Sequence, residues 1–104
     1  MTHYLLAYQG GSQPASEEEG KAVMDAWIAW FNELGAAVVD GGAPFGPSAS
    51  IASDGAVSIG GPSALTGYSV ITADSLDAAV ALAKGCPQLA ANGSVDVYEA
   101  IDVM

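Results

Sequence analysis

Apolar positions recur along this chain with two periods, and the switches between them mark the elements. Residues 3–9, His-Tyr-Leu-Leu-Ala-Tyr-Gln, are aromatic and aliphatic and stop at Gly10-Gly11. That pattern predicts a first strand with His3, Leu5 and Ala7 on one face and Tyr4, Leu6 and Tyr8 on the other. Both faces are largely apolar, so both are expected to meet something dry. The next segment opens Ser16-Glu17-Glu18-Glu19, a capping box in which Ser16 accepts from the Glu19 N–H while the Glu19 carboxylate reaches back. Acids in the first turn also suit the positive end of the helix dipole. The helix is expected from Glu17 to Leu34, ending at Gly35, where a left-handed cap needs no Cβ. Val23, Trp27, Trp30 and Leu34 fall on one side, with Met24, Ile28 and Phe31 beside them and Lys21, Asp25 and Asn32 opposite. The two tryptophans are expected in the core.

Ala36 to Val39 predicts a second strand closing at Asp40-Gly41-Gly42. From Gly41 to Gly61 the chain is rich in Gly, Pro, Ala and Ser, with one short alternating patch, Ala56-Val57-Ser58-Ile59. So long an irregular stretch in a small domain is expected to be functional or disordered. Gly67 to Ala73 predicts a strand. Asp74-Ser75 then caps a second helix with Leu76, Ala79, Val80 and Ala83 at helical spacing, stopped by Gly85 and Pro87. Ser94 to Val103 predicts the last strand. Val95, Val97, Ile101 and Val103 share one face, with Glu99 the polar exception there, and Asp96, Tyr98 and Asp102 lie on the other. The order strand, helix, strand, strand, helix, strand favours one ferredoxin-like α+β domain over residues 1–104: four antiparallel strands with both helices on one face. The other face then lacks cover. A second copy is the simplest occupant, so a homodimer with its sheets face to face is expected.

Composition narrows the partners. Twelve Asp plus Glu against two Lys give a formal charge of −10 and a pI of about 4.1, which makes nucleic acid and anionic membranes poor partners. At 51% hydrophobic and 13% charged residues, disorder is not expected. No apolar run is long enough to span a bilayer, and no basic leader pattern is present. A single Cys fits a reducing cytoplasm. Without Arg the chain cannot grip phosphate as an acylphosphatase-type site does, nor surround sheet aromatics with the basic residues that RNA requires.

The stretch Gly67-Tyr68-Ser69-Val70-Ile71-Thr72-Ala73-Asp74-Ser75-Leu76-Asp77-Ala78-Ala79, continuing Ala83-Lys84-Gly85-Cys86-Pro87, resembles the YCII-related family, especially its branch with a DGPF motif. Gly93-Ser94-Val95-Asp96-Val97 is similar to that family's final strand. Tyr4-Leu5-Leu6-Ala7-Tyr8 and Met24-Asp25-Ala26-Trp27 also fit, so the likeness covers nearly the whole chain. It implies a dimeric α+β barrel. It also implies a biochemical role largely unassigned, in a family whose members are often encoded near extracytoplasmic-function sigma factors. Two departures stand out. The namesake branch carries a His on the first helix and an Asp just after the second, a proposed acid/base pair; those places here hold Met24 and Cys86, neither of which shuttles protons as an imidazole and a carboxylate do. The DGPF motif is half present, as Asp54-Gly55-Ala56-Val57, and is followed by Gly60-Gly61-Pro62-Ser63 where charged residues usually stand.

Few residues remain to carry chemistry. His3, the sole imidazole, becomes a general base if Asp40 or Glu99 orients it, and is otherwise a solvated strand-end His. Cys86, just past a helix C-terminus, is expected to be an inert thiol. Gly10-Gly11-Ser12 lacks the dinucleotide and Walker patterns and precedes three Glu that repel phosphate. No spacing suits zinc or calcium, and no cofactor is expected. A neutral or weakly cationic, partly apolar small molecule is compatible, in a pocket between the sheet and the first helix lined by Met24, Trp27, Asp40 and Tyr68. The leading expectation is a non-catalytic cytoplasmic homodimer that binds a small molecule or a protein partner in a regulatory setting. The alternatives are a cofactor-free isomerase or lyase using His3 with Asp40 or Glu99, and a purely structural dimer.

Overall fold

The computed structural model describes residues 2–60 and 65–101. Its central feature is a four-stranded antiparallel sheet in the order β2-β5-β1-β6, built from β1 (Thr2–Gly10), β2 (Val38–Pro44), β5 (Leu65–Ala73) and β6 (Gly93–Ala100). Helices α1 (Glu17–Leu34) and α2 (Leu76–Ala83), with the short α3 (Pro87–Ala90), complete the ferredoxin-like α+β arrangement. A separate two-stranded sheet, β3 (Ala49–Ile51) with β4 (Val57–Ile59), interrupts the β2–β5 connection.

Local chemistry accounts for the ends of α1. The Glu19 N–H donates to Ser16 Oγ at 3.2 Å, and the Glu19 carboxylate reaches back to the Ala15 N–H at 2.7 Å. At the other end Gly35 adopts φ 57°, a left-handed conformation that a Cβ would disfavour. Ser75 caps α2 in the same way, accepting from the Ala78 N–H at 3.1 Å.

The core lies between α1, α2 and one face of the sheet. Tyr4, Leu6 and Tyr8 of β1, Ile71 and Ala73 of β5, Ala79 and Ala83 of α2, Cys86 and Trp30 form one buried cluster. Around Trp30 the aromatics interlock edge to face: Tyr8 with Trp27 at 5.1 Å and Trp27 with Trp30 at 5.8 Å between ring centroids. The Trp30 indole N–H donates to the Leu82 carbonyl at 3.3 Å, which gives the buried polar end of the ring its partner.

Several elements differ from the expected ones. The second strand runs Val38–Pro44 rather than Ala36–Val39, because Gly35–Ala37 forms a 3-10 turn that completes α1. Asp40-Gly41-Gly42 does not stop the strand; it forms a bulge within it. The expected irregular stretch from Gly41 to Gly61 contains the β3–β4 hairpin. The second helix stops before Gly85 and Pro87 as expected, at Ala83, and Pro87 also opens the short α3, where its missing N–H costs nothing. The apolar stripe of α1 packs only toward its C-terminal end. Trp30 is buried and Trp27, Phe31 and Leu34 pack half-buried against the cluster, whereas Val23, Met24 and Ile28 are exposed. Asp102, Val103 and the Gly61-Pro62-Ser63 segment lie outside the described residues.

Candidate functional site

Strand alternation assigns the sheet two unlike faces. Tyr8 and Ser69 point under the helices, where the Tyr8 hydroxyl donates to Ser69 Oγ at 2.7 Å. Their chain neighbours Ala7 and Tyr68, paired across β1 and β5, therefore point to the opposite face, as do Leu5 and Val70 one register step along. On β6, Tyr98 pairs with Leu5 and Asp96 with Ala7 on that same helix-free face. Leu5 and Val70 thus lie on its two central strands, with Tyr98 beside Leu5 on the edge strand β6. The polar rim of the face includes Asp96, which accepts from the Gln9 side-chain amide at 2.8 Å.

One corner of this face is built by the β2 bulge. Gly42 has φ 76°, and a Cβ there would lie 1.7 Å from the Tyr68 carbonyl oxygen. Only glycine permits this approach of the two backbones. The bulge is secured from both sides: the Gly42 N–H donates to Asp40 Oδ1 at 2.8 Å, and the Ser69 hydroxyl donates to the Gly41 carbonyl at 2.7 Å. Asp40 is thereby held beside Tyr68, whose hydroxyl donates to Asp40 Oδ2 at 3.4 Å. Phe45, just past β2, stacks on Tyr68 with centroids 5.7 Å apart and planes 19° from parallel. The product is a carboxylate at the hydroxyl end of a stacked aromatic pair, an arrangement that favours a cationic or polarised apolar group. Gly42→Ala is expected to cost roughly 3 kcal/mol through left-handed strain and the forced separation of β2 from β5. Urea denaturation checks this, and an unchanged midpoint would show that the bulge tolerates a side chain.

The sequence-predicted residues do not converge on one pocket. Asp40 and Tyr68 come together, but on the helix-free face. Trp27 packs against Tyr8 on the other side of the sheet, and Met24 is 61% exposed on α1. His3 pairs with Thr72 and Ala100 at one end of the helix-free face, whereas Asp40 pairs with Val70 on the far strand. Glu99 pairs with Tyr4 and so projects to the helix side; its charge and, first, burial raise the Tyr4 phenol above its usual range. The geometry leaves His3 without either carboxylate as an orienting partner.

Cys86 is buried just past α2, its N–H donating to the Ala83 carbonyl at 3.0 Å, and it precedes α3 at the N-cap position without a side-chain cap bond. Burial raises its thiol pKa, with smaller opposing effects from the Gln88 backbone and Tyr8, so the thiolate nucleophile is disfavoured. Burial likewise raises the Tyr8 phenol well above its ordinary value. The Gly10-Gly11-Ser12 loop is tied to α3: the Gln88 side-chain amide donates to the Gln9 and Gly10 carbonyls at 2.9 Å, and the Ser12 N–H to the Ala91 carbonyl at 2.6 Å. Among the described residues no cluster of three or more His, Cys, Asp or Glu is placed to hold a metal ion, and no helix is long and apolar enough to cross a membrane.

Sequence reasoning missed Phe45 and a second concavity. An open groove of about 450 Å³ runs along α2, α3 and β6, lined by Leu76, Val80, Leu89, Val97, Tyr98 and Lys84 among others. Because it is lined from both faces of β6, it follows the outer edge of that strand, which among the described residues no other strand covers. The alternating Val95 to Tyr98 pattern placed β6 correctly, but nothing in it marked β6 as an edge.

No curated protein matches this sequence. A family model for the YCII-related domain matches residues 1–104, the full length of the sequence, and its agreement with the resemblance of the β5–α2 and β6 segments makes this chain a member of the YCII-related domain family.

Proposed function

We propose that the protein is a cytoplasmic homodimer whose two helix-free sheet faces pack together, and that it binds a small, partly apolar cation or neutral molecule without catalysing a reaction on it. The observation that carries this is the Asp40–Tyr68–Phe45 corner at the β2 side of a face whose central strands carry Leu5 and Val70, with Tyr98 beside Leu5 on β6. Burying the centre against a second copy removes exposed apolar surface from water. The corner then borders the joint, where its carboxylate and ring faces remain available to a ligand. Absence of catalysis is argued from the residues. Met24 and Cys86 stand where the family's acid/base pair is placed, and the sole His, His3, has neither Asp40 nor Glu99 as a neighbour on its own face. A buried free thiol suits a reducing compartment.

Sedimentation equilibrium at micromolar concentration is expected to give a dimer. Thermal shift with arylalkylammonium ions, set against neutral and carboxylate analogues of the same skeleton, tests the corner. At 100 times its dissociation constant a bound cation should add roughly 2.7 kcal/mol of stability, and Asp40→Asn should remove the preference for the charged form. Equal response to cation and carboxylate analogues would overturn the ligand class. Turnover that disappears in His3→Ala would overturn the non-catalytic role.

A further inference from the structure

The β3–β4 hairpin is amphipathic to a degree its own chain does not explain. Its register pairs Ala49 with Ile59, Ser50 with Ser58 and Ile51 with Val57, so all four apolar side chains share one face and the two serines share the other. Ile51, Val57 and Ile59 are 75%, 61% and 87% exposed. An isolated two-stranded hairpin is marginally stable in water, and this one presents its greasy side to solvent. Its tight turn carries Asp54, whose Oδ1 accepts from the Ala56 N–H at 2.9 Å. Asp54 is the one charged residue between Asp40 and Asp74.

We propose that this hairpin is an arm that seats in the α2–β6 groove of a second copy of the chain, its aliphatic face against Leu76, Val80 and Leu89 and its Asp54 turn against Lys84. The inference rests on the homodimer reading and says how the two copies are locked. Charge selects the occupant. The chain holds only two cationic side chains in a net charge of −10, and one of them, Lys84, lines the groove together with Asp96, whose carboxylate accepts from the Gln9 amide; the single charge of the arm is the complement of Lys84. The arm does not occupy its own groove: Ile51, Val57 and Ile59 are exposed and none of them lines it. The arm follows β2, one edge of the order β2-β5-β1-β6, whereas the groove follows β6, the opposite edge, about 14 Å away at the usual strand spacing. A two-fold axis lying between two face-to-face sheets and parallel to their strands reverses the left-to-right order, placing β2 of one copy over β6 of the other. An arm continuing from β2 then reaches the partner's groove, and the contact is made twice, as an isologous interface requires. It also covers the outer edge of β6, which among the described residues no strand covers in a single chain.

Sedimentation equilibrium of the full chain, with circular dichroism to verify folding, tests this. Ile59→Asp alters a side chain with no core contact, so the subunit should fold normally while the dimer dissociation constant rises roughly tenfold or more. Asp54→Lys and Lys84→Asp should each weaken the dimer by about threefold, and the double exchange should recover most of the loss. A wild-type dimer indifferent to Ile59→Asp would overturn the arm and leave the sheet-to-sheet dimer standing. Weakening by Ile59→Asp with no recovery in the double exchange would overturn the groove as the arm's seat. A monomeric wild type would overturn both.

Discussion

Trp30→Ala is expected to lower the unfolding free energy by about 3–5 kcal/mol, a large share of the 5–15 kcal/mol typical of a domain. The indole is 4% exposed and lies at the meeting point of α1, α2 and the sheet. Truncation removes its packing against Trp27 and Phe31, at 5.8 and 5.2 Å, and leaves the Leu82 carbonyl without the indole donor that reaches it at 3.3 Å. The surrounding side chains cannot close the gap cheaply, because Tyr8 is itself fixed by its hydrogen bond to Ser69. Chemical denaturation with a common slope for wild type and variant measures the loss. A change below about 1 kcal/mol would mean that the aromatic cluster is not the keystone of the core. Trp27→Ala should cost less, since that ring is half-buried.

Leu5→Asp is expected to split the proposed dimer, raising its dissociation constant about 100-fold or more. Leu5 sits between Val70 and Tyr98 at the centre of the helix-free face. Face-to-face packing would bury the new carboxylate among apolar side chains, near Asp40 and Asp96 and without a cation, and an unpaired buried charge costs several kcal/mol. Val70→Asp should act alike and guards against a folding defect peculiar to one strand. Sedimentation equilibrium reads the association and thermal melting reads the fold. Dimers of undiminished affinity in both variants would remove the sheet-to-sheet joint.

What could be read from the sequence was whatever local chemistry decides. Ser16 with Glu19 and Gly35 bracket α1, and the Val-Ile-Thr run of β5 leaves no competing conformation. The second strand departs from its expected end because Asp40-Gly41-Gly42 reads as a stop where the tertiary structure uses it as a joint. Gly42 makes a bulge that lets β2 continue beside β5. The site was harder for a related reason. When both faces of β1 are apolar, alternation separates Tyr4, Leu6 and Tyr8 from His3, Leu5 and Ala7 without saying which set the helices cover. The choice belongs to the packing of Trp30 and α2, which no short window contains. Once it is made, Trp27 and Tyr68 fall on opposite sides of the sheet, and the expected pocket between them separates.

Both tryptophans of the chain stand within one edge-to-face array with Tyr8. Intrinsic fluorescence and the near-ultraviolet dichroism of the indoles will therefore follow melting of the interior but stay nearly blind to events on the reverse of the sheet. There the chromophores are Tyr68 and Tyr98, whose weaker emission the indoles would mask. A spectroscopist relying on the native signal alone would miss both the proposed pairing of subunits and the proposed binding of a ligand.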